Sequence, residues 1–302
     1  MRQHEIELSG LDGSNLLGFL AALGTHRILS TREPGIRLSW RDSGIWTPVI
    51  HSAEYESAEQ LIEALVPLVY GEQTAAQAWS IGKNLTLKCV EYREVLLRAV
   101  QNSYSGARLE TDYLCSFGSE AVVSGPKKDQ MSDTEFRTMS GAGHQHFLAF
   151  MIELAANTEP DHLSRALFQP WDYSDDRPSM RWDPADYRPH ALRADDPSSD
   201  PIRTMRGANR LAVEALPLFP TAPAGRKLAT VGFQDREGET EIAWPIWEEP
   251  LDLGSVGSLL NLAELQATDP NGLQARGIRQ VYRAKRFTEG KYRNFSPAIE
   301  LI

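Results

Sequence analysis

Cysteine is scarce in this 302-residue sequence: Cys89 and Cys115 are the only two. They have no metal-ligand spacing and build no disulfide framework, which points to a reducing, cytoplasmic setting. The opening Met1-Arg-Gln-His-Glu-Ile-Glu-Leu8 does not read as a signal peptide. No apolar run approaches the length of a membrane span. HExxH, GxSxG, GxxxxGK and GxGxxG patterns are all missing, so no familiar nucleophile, metal or phosphate-loop chemistry is indicated. Internal repeats and low-complexity tracts are missing too.

Positive charge is also short overall. The chain carries −10 at neutral pH, which taken whole argues against a nucleic-acid binder. The average hides an asymmetry. Residues 276–293 hold Arg276, Arg279, Arg283, Lys285, Arg286, Lys291 and Arg293 against Glu289 alone, a net of +6 that leaves −16 on the other 284 residues. A local concentration of charge makes a field that the total does not report. Hydrophobic residues at 41% and charged residues at 24% are ordinary for a globular chain, so a substantial core is expected.

The pattern predicts an α+β fold, with mixed helices and short antiparallel strands. Residues 4–8 alternate like a strand. Ser9–Asn15 is rich in turn and cap residues, and Leu16–Leu29 is a buried apolar helix whose Gly18, Ala21, Ala22 and Gly24 suit close packing on a sheet. A hairpin spans 36–50 around Asp42-Ser-Gly44. Helices are predicted at 57–70, 88–101, 111–123, 145–156 and 255–265, and strands at 228–233 and 241–247. Residues 169–205 lose periodicity and are rich in Pro, Asp, Arg and Trp, an irregular connecting segment. It separates an expected N-terminal α+β domain, 1–168, from a C-terminal α+β part, 206–302, with the basic tail.

Three constellations invite a functional reading. His144 and His146, near glycines before a helix, could meet a metal or an anion, but the spacing suits a structural turn best, and no metal or cofactor is expected. In the second, Arg206, Asn209 and Arg210 could reach a nucleic acid, with Gly207 letting the backbone approach; a rigid salt-bridged loop explains the same residues. In the basic tail, Lys and Arg neutralise phosphates and the interleaved Tyr282, Phe287, Tyr292 and Phe295 could stack on bases. A solvated basic face, or a strand docked on an acidic neighbour, accounts for it equally well.

The segments form a series. Leu11-Asp-Gly-Ser-Asn-Leu-Leu-Gly-Phe-Leu-Ala-Ala-Leu-Gly24, Gly141-Ala-Gly-His-Gln-His-Phe-Leu148, Arg181-Trp-Asp-Pro184, Gly207-Ala-Asn-Arg-Leu-Ala212 and Tyr292-Arg-Asn-Phe295 occur in this order. The series resembles proteins encoded in type I-G (formerly I-U) CRISPR loci. The resemblance implies a subunit of the RNA-guided surveillance complex (Cascade), in the large-subunit position. Such a subunit senses the motif flanking the target and holds opened DNA, with no active site of its own. Its implied partners are guide RNA, target DNA, the backbone subunits and a separate helicase-nuclease, with no membrane. A length of 302 residues is short for a large subunit, which leaves an accessory nuclease or hydrolase of the same loci, or a protein-docking adaptor, as the other readings.

Overall fold

The computed structural model describes residues 3–70, 76–106, 108–139, 141, 145–186, 203–267, 272–289 and 292–301. It is a mixed α+β fold with several small antiparallel sheets. The first sheet holds β1 (His4–Glu7), β2 (Arg37–Asp42) and β3 (Trp46–Ser52) in the order β1-β3-β2. Between β1 and β2 lies α1 (Leu16–Leu29), started by Asn15, whose side chain accepts hydrogen bonds from the amides of Leu17 and Gly18. That is N-capping, and it satisfies two donors that the first helical turn otherwise leaves open.

Helices α2 (Ala58–Tyr70), α3 (Ala76–Trp79), α4 (Cys89–Ser103) and α5 (Leu109–Phe117) follow, then the hairpin of β4 (Gly118–Ser124) and β5 (Gln130–Asp133). The expected helix over 111–123 therefore ends early. From Gly118 the chain turns into a strand, where β-branched Val122 and Val123 are better placed than in a helix. Next come α6 (Phe147–Asn157), α7 (Pro160–Phe168) and α8 (Arg206–Val213). A small hairpin, β6 (Thr221–Ala224) with β7 (Lys227–Thr230), precedes the second sheet. That sheet holds β8 (Phe233–Arg236), β9 (Glu239–Trp247), β10 (Ile278–Glu289) and β11 (Tyr292–Phe295) in the order β11-β10-β9-β8. Helix α9 (Leu253–Leu260) sits between β9 and β10, and β12 (Ile299–Glu300) pairs with β10.

All fourteen residues of α1 are buried. Of its small residues, Gly24 meets a helix and not, as expected, a sheet, and Gly18 meets the Asp12 backbone of the preceding loop. A Cβ at Gly24 would lie 1.8 Å from the Leu211 carbonyl oxygen of α8, so only glycine permits this crossing. Another face of α1 does meet the sheets. Phe19 stacks on Trp40 of β2 at 5.6 Å, and Trp40 meets Trp247 of β9 edge-on at 6.0 Å. The indole of Trp247 donates to the Leu38 carbonyl at 2.9 Å and that of Trp244 to the Gly13 carbonyl at 2.8 Å. These two buried indoles keep their hydrogen bonds, that of Trp247 joining the second sheet to the first, whereas the Trp40 indole nitrogen is buried without a partner.

One hydrophobic cluster runs from Ile6 to Phe295, so residues before 168 and after 206 share a core instead of forming two. The described part of the irregular segment is pinned by ion pairs, Arg165 holding Asp161, Asp172 and Asp175. Residues 187–202 lie outside the described residues. Among the described residues no helix is long and apolar enough to cross a membrane.

Candidate nucleic-acid interface

Strand alternation decides where the basic tail points. On β10, Tyr282 and Ala284 face the main core, and Arg286 follows them on the same side of the strand, while Val281, Arg283 and Lys285 take the other side. The second set meets the acids of the neighbouring strand. Arg283, 7% exposed, lies 3.7 Å from Glu241, and Lys285 pairs with Glu239. Arg279 pairs with Glu248, and Arg276 with Glu264 at 2.6 Å. Much of the +6 is therefore neutralised within the chain, as a strand docked on acidic neighbours. Two of the rings expected to stack on bases are core residues, Tyr282 lying against Trp244 at 6.0 Å and Phe295 against Phe233 at 6.2 Å, and Phe287 is half-buried. Lys291 lies outside the described residues.

The central trio is also structural. Asn209 and Arg210 are both 0% exposed. Asn209 accepts from the Met180 amide at 2.8 Å and donates to Thr204 and to the Met205 carbonyl. Arg210 donates to Glu214 at 2.6 Å and to the Val69 carbonyl at 2.9 Å. Neither can read a base edge in this fold, which corrects that expectation; a side chain with no surface has nothing to offer a ligand. Arg206 ties loops together, donating to the carbonyls of Asn157, Asp176 and Arg177. Of the histidine pair, His144 lies outside the described residues. Among those described, no group of three His, Cys, Asp or Glu could hold a metal.

Arg286 and Arg293 are placed differently. Arg293 and Arg137 line a cleft of about 840 Å³ between the β4–β5 hairpin, the β6–β7 hairpin and β11, and Arg286 faces Arg293 without lining it. Arg286 pairs with Glu135, and Arg137 with Asp133 at 2.5 Å. Arg293 donates to the Arg137 carbonyl at 3.2 Å. Arg226 and Lys227 complete the lining, and Lys227 reaches Asp235 at 2.5 Å. Four cations thus line the cleft with three carboxylates, Asp133, Glu135 and Asp235, and Glu135 is already paired with Arg286, in a chain that is acidic overall.

The electrostatics are strained in the same sense. Burial, then the facing Arg293, hold the Arg286 guanidinium down at about 9, and burial followed by Arg137 lowers Arg293. Burial pushes the Asp133 carboxyl up despite Arg137 beside it. The Nε atoms of Arg286 and Arg137 are buried without a hydrogen-bond partner. An anion entering the cleft would relieve the like-charge repulsion between Arg137 and Arg293.

Four of the segments that carry the resemblance are joined to one another beside this cluster. Asn15 donates to Asp183 at 3.1 Å, Asn209 binds the Met180 amide, and Arg181 donates to Asn294 at 3.1 Å. Thr138 donates to the Met180 carbonyl at 2.7 Å, and its own carbonyl accepts from the Arg293 amide at 3.2 Å. Arg137 and Arg293 are thereby fixed from behind by residues far apart in sequence. Arg137, Arg226 and Lys227 carry no signal in the sequence beyond the Gly225-Arg-Lys227 turn of a hairpin.

One further juxtaposition was not visible in the sequence. Ser39 Oγ lies 2.8 Å from His51 Nε2, and His51 Nδ1 lies 3.8 Å from Glu5 Oε1. Ser39 and His51 are each 5% exposed, and Glu5 is drawn to Arg41 at 2.5 Å. These are neighbouring positions on one face of the first sheet. Compared with known proteins, the chain matches no family model and no curated sequence.

Proposed function

We propose that this chain is a non-catalytic nucleic-acid-binding subunit of a type I CRISPR surveillance complex, acting in the cytoplasm. In this reading it contacts target DNA or guide RNA beside the backbone subunits, helps recognise the target-flanking motif and stabilises the opened duplex. A helicase-nuclease recruited to the complex does the cutting. The observation that carries the binding part is the arginine cleft, where Arg137, Arg226, Lys227 and Arg293 line an open surface with Asp133, Glu135 and Asp235, and Glu135 is already paired with Arg286. The type of complex rests on the resemblance in the ordered segments. The cleft offers cations but few rings, so its contacts are with phosphate and position the nucleic acid without reading it.

The test is nucleic-acid binding by the assembled complex across a salt series. Changing Arg226, Lys227 and Arg293 together to Ala should lower affinity and flatten the salt slope by about two to three units. Normal assembly with unaltered affinity and slope would remove the cleft from the interface. Failure to assemble would favour a protein-docking adaptor.

A further inference from the structure

A second cavity, of about 850 Å³, has walls that do not overlap the arginine cleft. It opens where α1, α4 and α8 end and α5 begins. Ile28, Leu68, Leu109, Leu218 and Leu253 give it an apolar wall, and Arg27 and Glu214 supply its buried polar end.

That polar end is unbalanced. Glu214, 1% exposed, accepts from Arg210 at 2.6 Å, from Arg27, and from the Tyr113 hydroxyl at 2.9 Å. Burial pushes its carboxyl up, but Arg210 and Arg27 outweigh that and hold it below the usual range. One carboxylate therefore serves two buried guanidiniums. The other acids on the cavity wall are already matched, Glu110 by Arg98 at 3.4 Å and Asp112 by Arg108 at 2.9 Å. Arg210 is used by Glu214, the Val69 carbonyl and the face of Trp79, and it does not line the cavity. Arg27 does line it, with its guanidinium 5.8 Å from the centre of the Tyr113 ring. Its Nε donates to the Glu214 carbonyl and its Nη2 to the Glu214 carboxylate, but among the described residues Nη1 donates no hydrogen bond. The Arg27 side chain is 8% exposed and lines the cavity. The Nη1 donors of this cavity-lining guanidinium are therefore free for a ligand to use.

We propose that this cavity binds a small organic carboxylate with an apolar body, the hydrocarbon lying against the leucine wall and the carboxylate on Arg27. A single negative charge matches the single excess guanidinium, and the planar fork of arginine suits a carboxylate. A mostly apolar pocket with one anchoring charge is the usual design of a small-molecule site. The site is independent of the nucleic-acid reading.

Calorimetric titration of the full chain with decanoate, decanol and decylamine tests this. Decanoate should bind about tenfold tighter than decanol, the worth of one charge-assisted hydrogen bond, and decylamine should bind weakest. Arg27→Met leaves Arg210 and Glu214 as a matched pair and should bring decanoate down to the level of decanol. Leu253→Trp fills the cavity without touching the ion triad and should weaken decanoate and decanol alike by about tenfold or more. No binding of decanoate, equal affinity for decanoate and decanol in the parent chain, or unaltered decanoate binding in either variant overturns the proposal. If Arg27→Met does not fold, the ligand series and Leu253→Trp decide alone.

Discussion

Arg181 donates from Nη1 to Oδ1 of Asn294 across 3.1 Å, with both residues buried and 113 positions apart in the chain. The bond joins the irregular segment to β11, next to the Arg293 that faces the cleft. A hydrogen bond to a buried charge contributes about 1.5–3 kcal/mol. Arg181→Met and Asn294→Leu should each destabilise by about that much, and the double variant should cost less than the two together by more than about 0.5 kcal/mol. Denaturant midpoints of all four proteins measure it. Strict additivity would mean that the two residues are not coupled.

Gly24 is where α1 crosses α8. A methyl group there runs into the Leu211 carbonyl oxygen, which belongs to helical backbone and cannot step aside alone. Gly24→Ala should therefore cost about 3 kcal/mol, although alanine is the better helix former. Gly254→Ala, in the first turn of α9 with its nearest neighbour at 3.4 Å, is the control and should be near neutral. A melting point for Gly24→Ala equal to that of the parent would show that the helices can separate freely.

His26 gives the fold a dependence on pH. Burial holds its imidazole down at about 4, against the opposing hydrogen bond to the Ile36 carbonyl, while in the unfolded chain it titrates near 6.5. Between those values the unfolded state carries the extra proton, so stability is full above about pH 6.5 and falls as pH drops toward 4. The loss should reach about 3 kcal/mol. His26→Gln can keep the bond to Ile36 but does not titrate. Urea midpoints from pH 7.5 to 4.5 should fall less steeply for the variant, and parallel slopes would acquit His26.

The Ser39–His51 contact tests the non-catalytic reading. An acyl-transfer site needs an accessible nucleophile and oxyanion donors as well as a base. With both residues 5% exposed, a fluorophosphonate probe should leave Ser39 unlabelled, and Ser39→Ala should change no activity of the assembled complex. Labelling that disappears in Ser39→Ala would revive the hydrolase alternative.

The two halves of the basic tail should also separate. Changing Arg279, Arg283 and Lys285 to Ala breaks pairs with Glu248, Glu241 and Glu239 on or beside β9. It should lower thermal stability and leave the salt slope of nucleic-acid binding unchanged. A slope reduced as much as in the cleft variant would return the whole tail to the interface.

Local pattern was legible where the chain acts locally. The cap at Asn15, the apolar run of α1 and the 36–50 hairpin need only near neighbours, and each formed about where the spacing put it. What failed were inferences about which way a charge points. For the +6 of 276–293 a strand docked on acidic neighbours stood level with phosphate contact, and only the register of β10 on β9 brings Glu239, Glu241 and Glu248 to it. Arg210 and Asn209 look like ligands in a polar, glycine-containing stretch, yet that stretch is a helix wedged between α1 and α7. The cleft drew Arg137, Arg226 and Arg293 from three distant segments, which no spacing rule connects.

The dependence of α1 on α8 has a consequence during synthesis. A fourteen-residue helix with no polar face leaves the ribosome well before the helix that covers it. At about 5–20 residues per second, the wait until residue 213 emerges is roughly ten to forty seconds. For that interval the nascent chain offers a sticky segment to chaperones and to neighbouring chains. The vulnerable moment of this protein is thus its translation, and slow synthesis between residues 30 and 206 should lower its soluble yield more than any surface substitution.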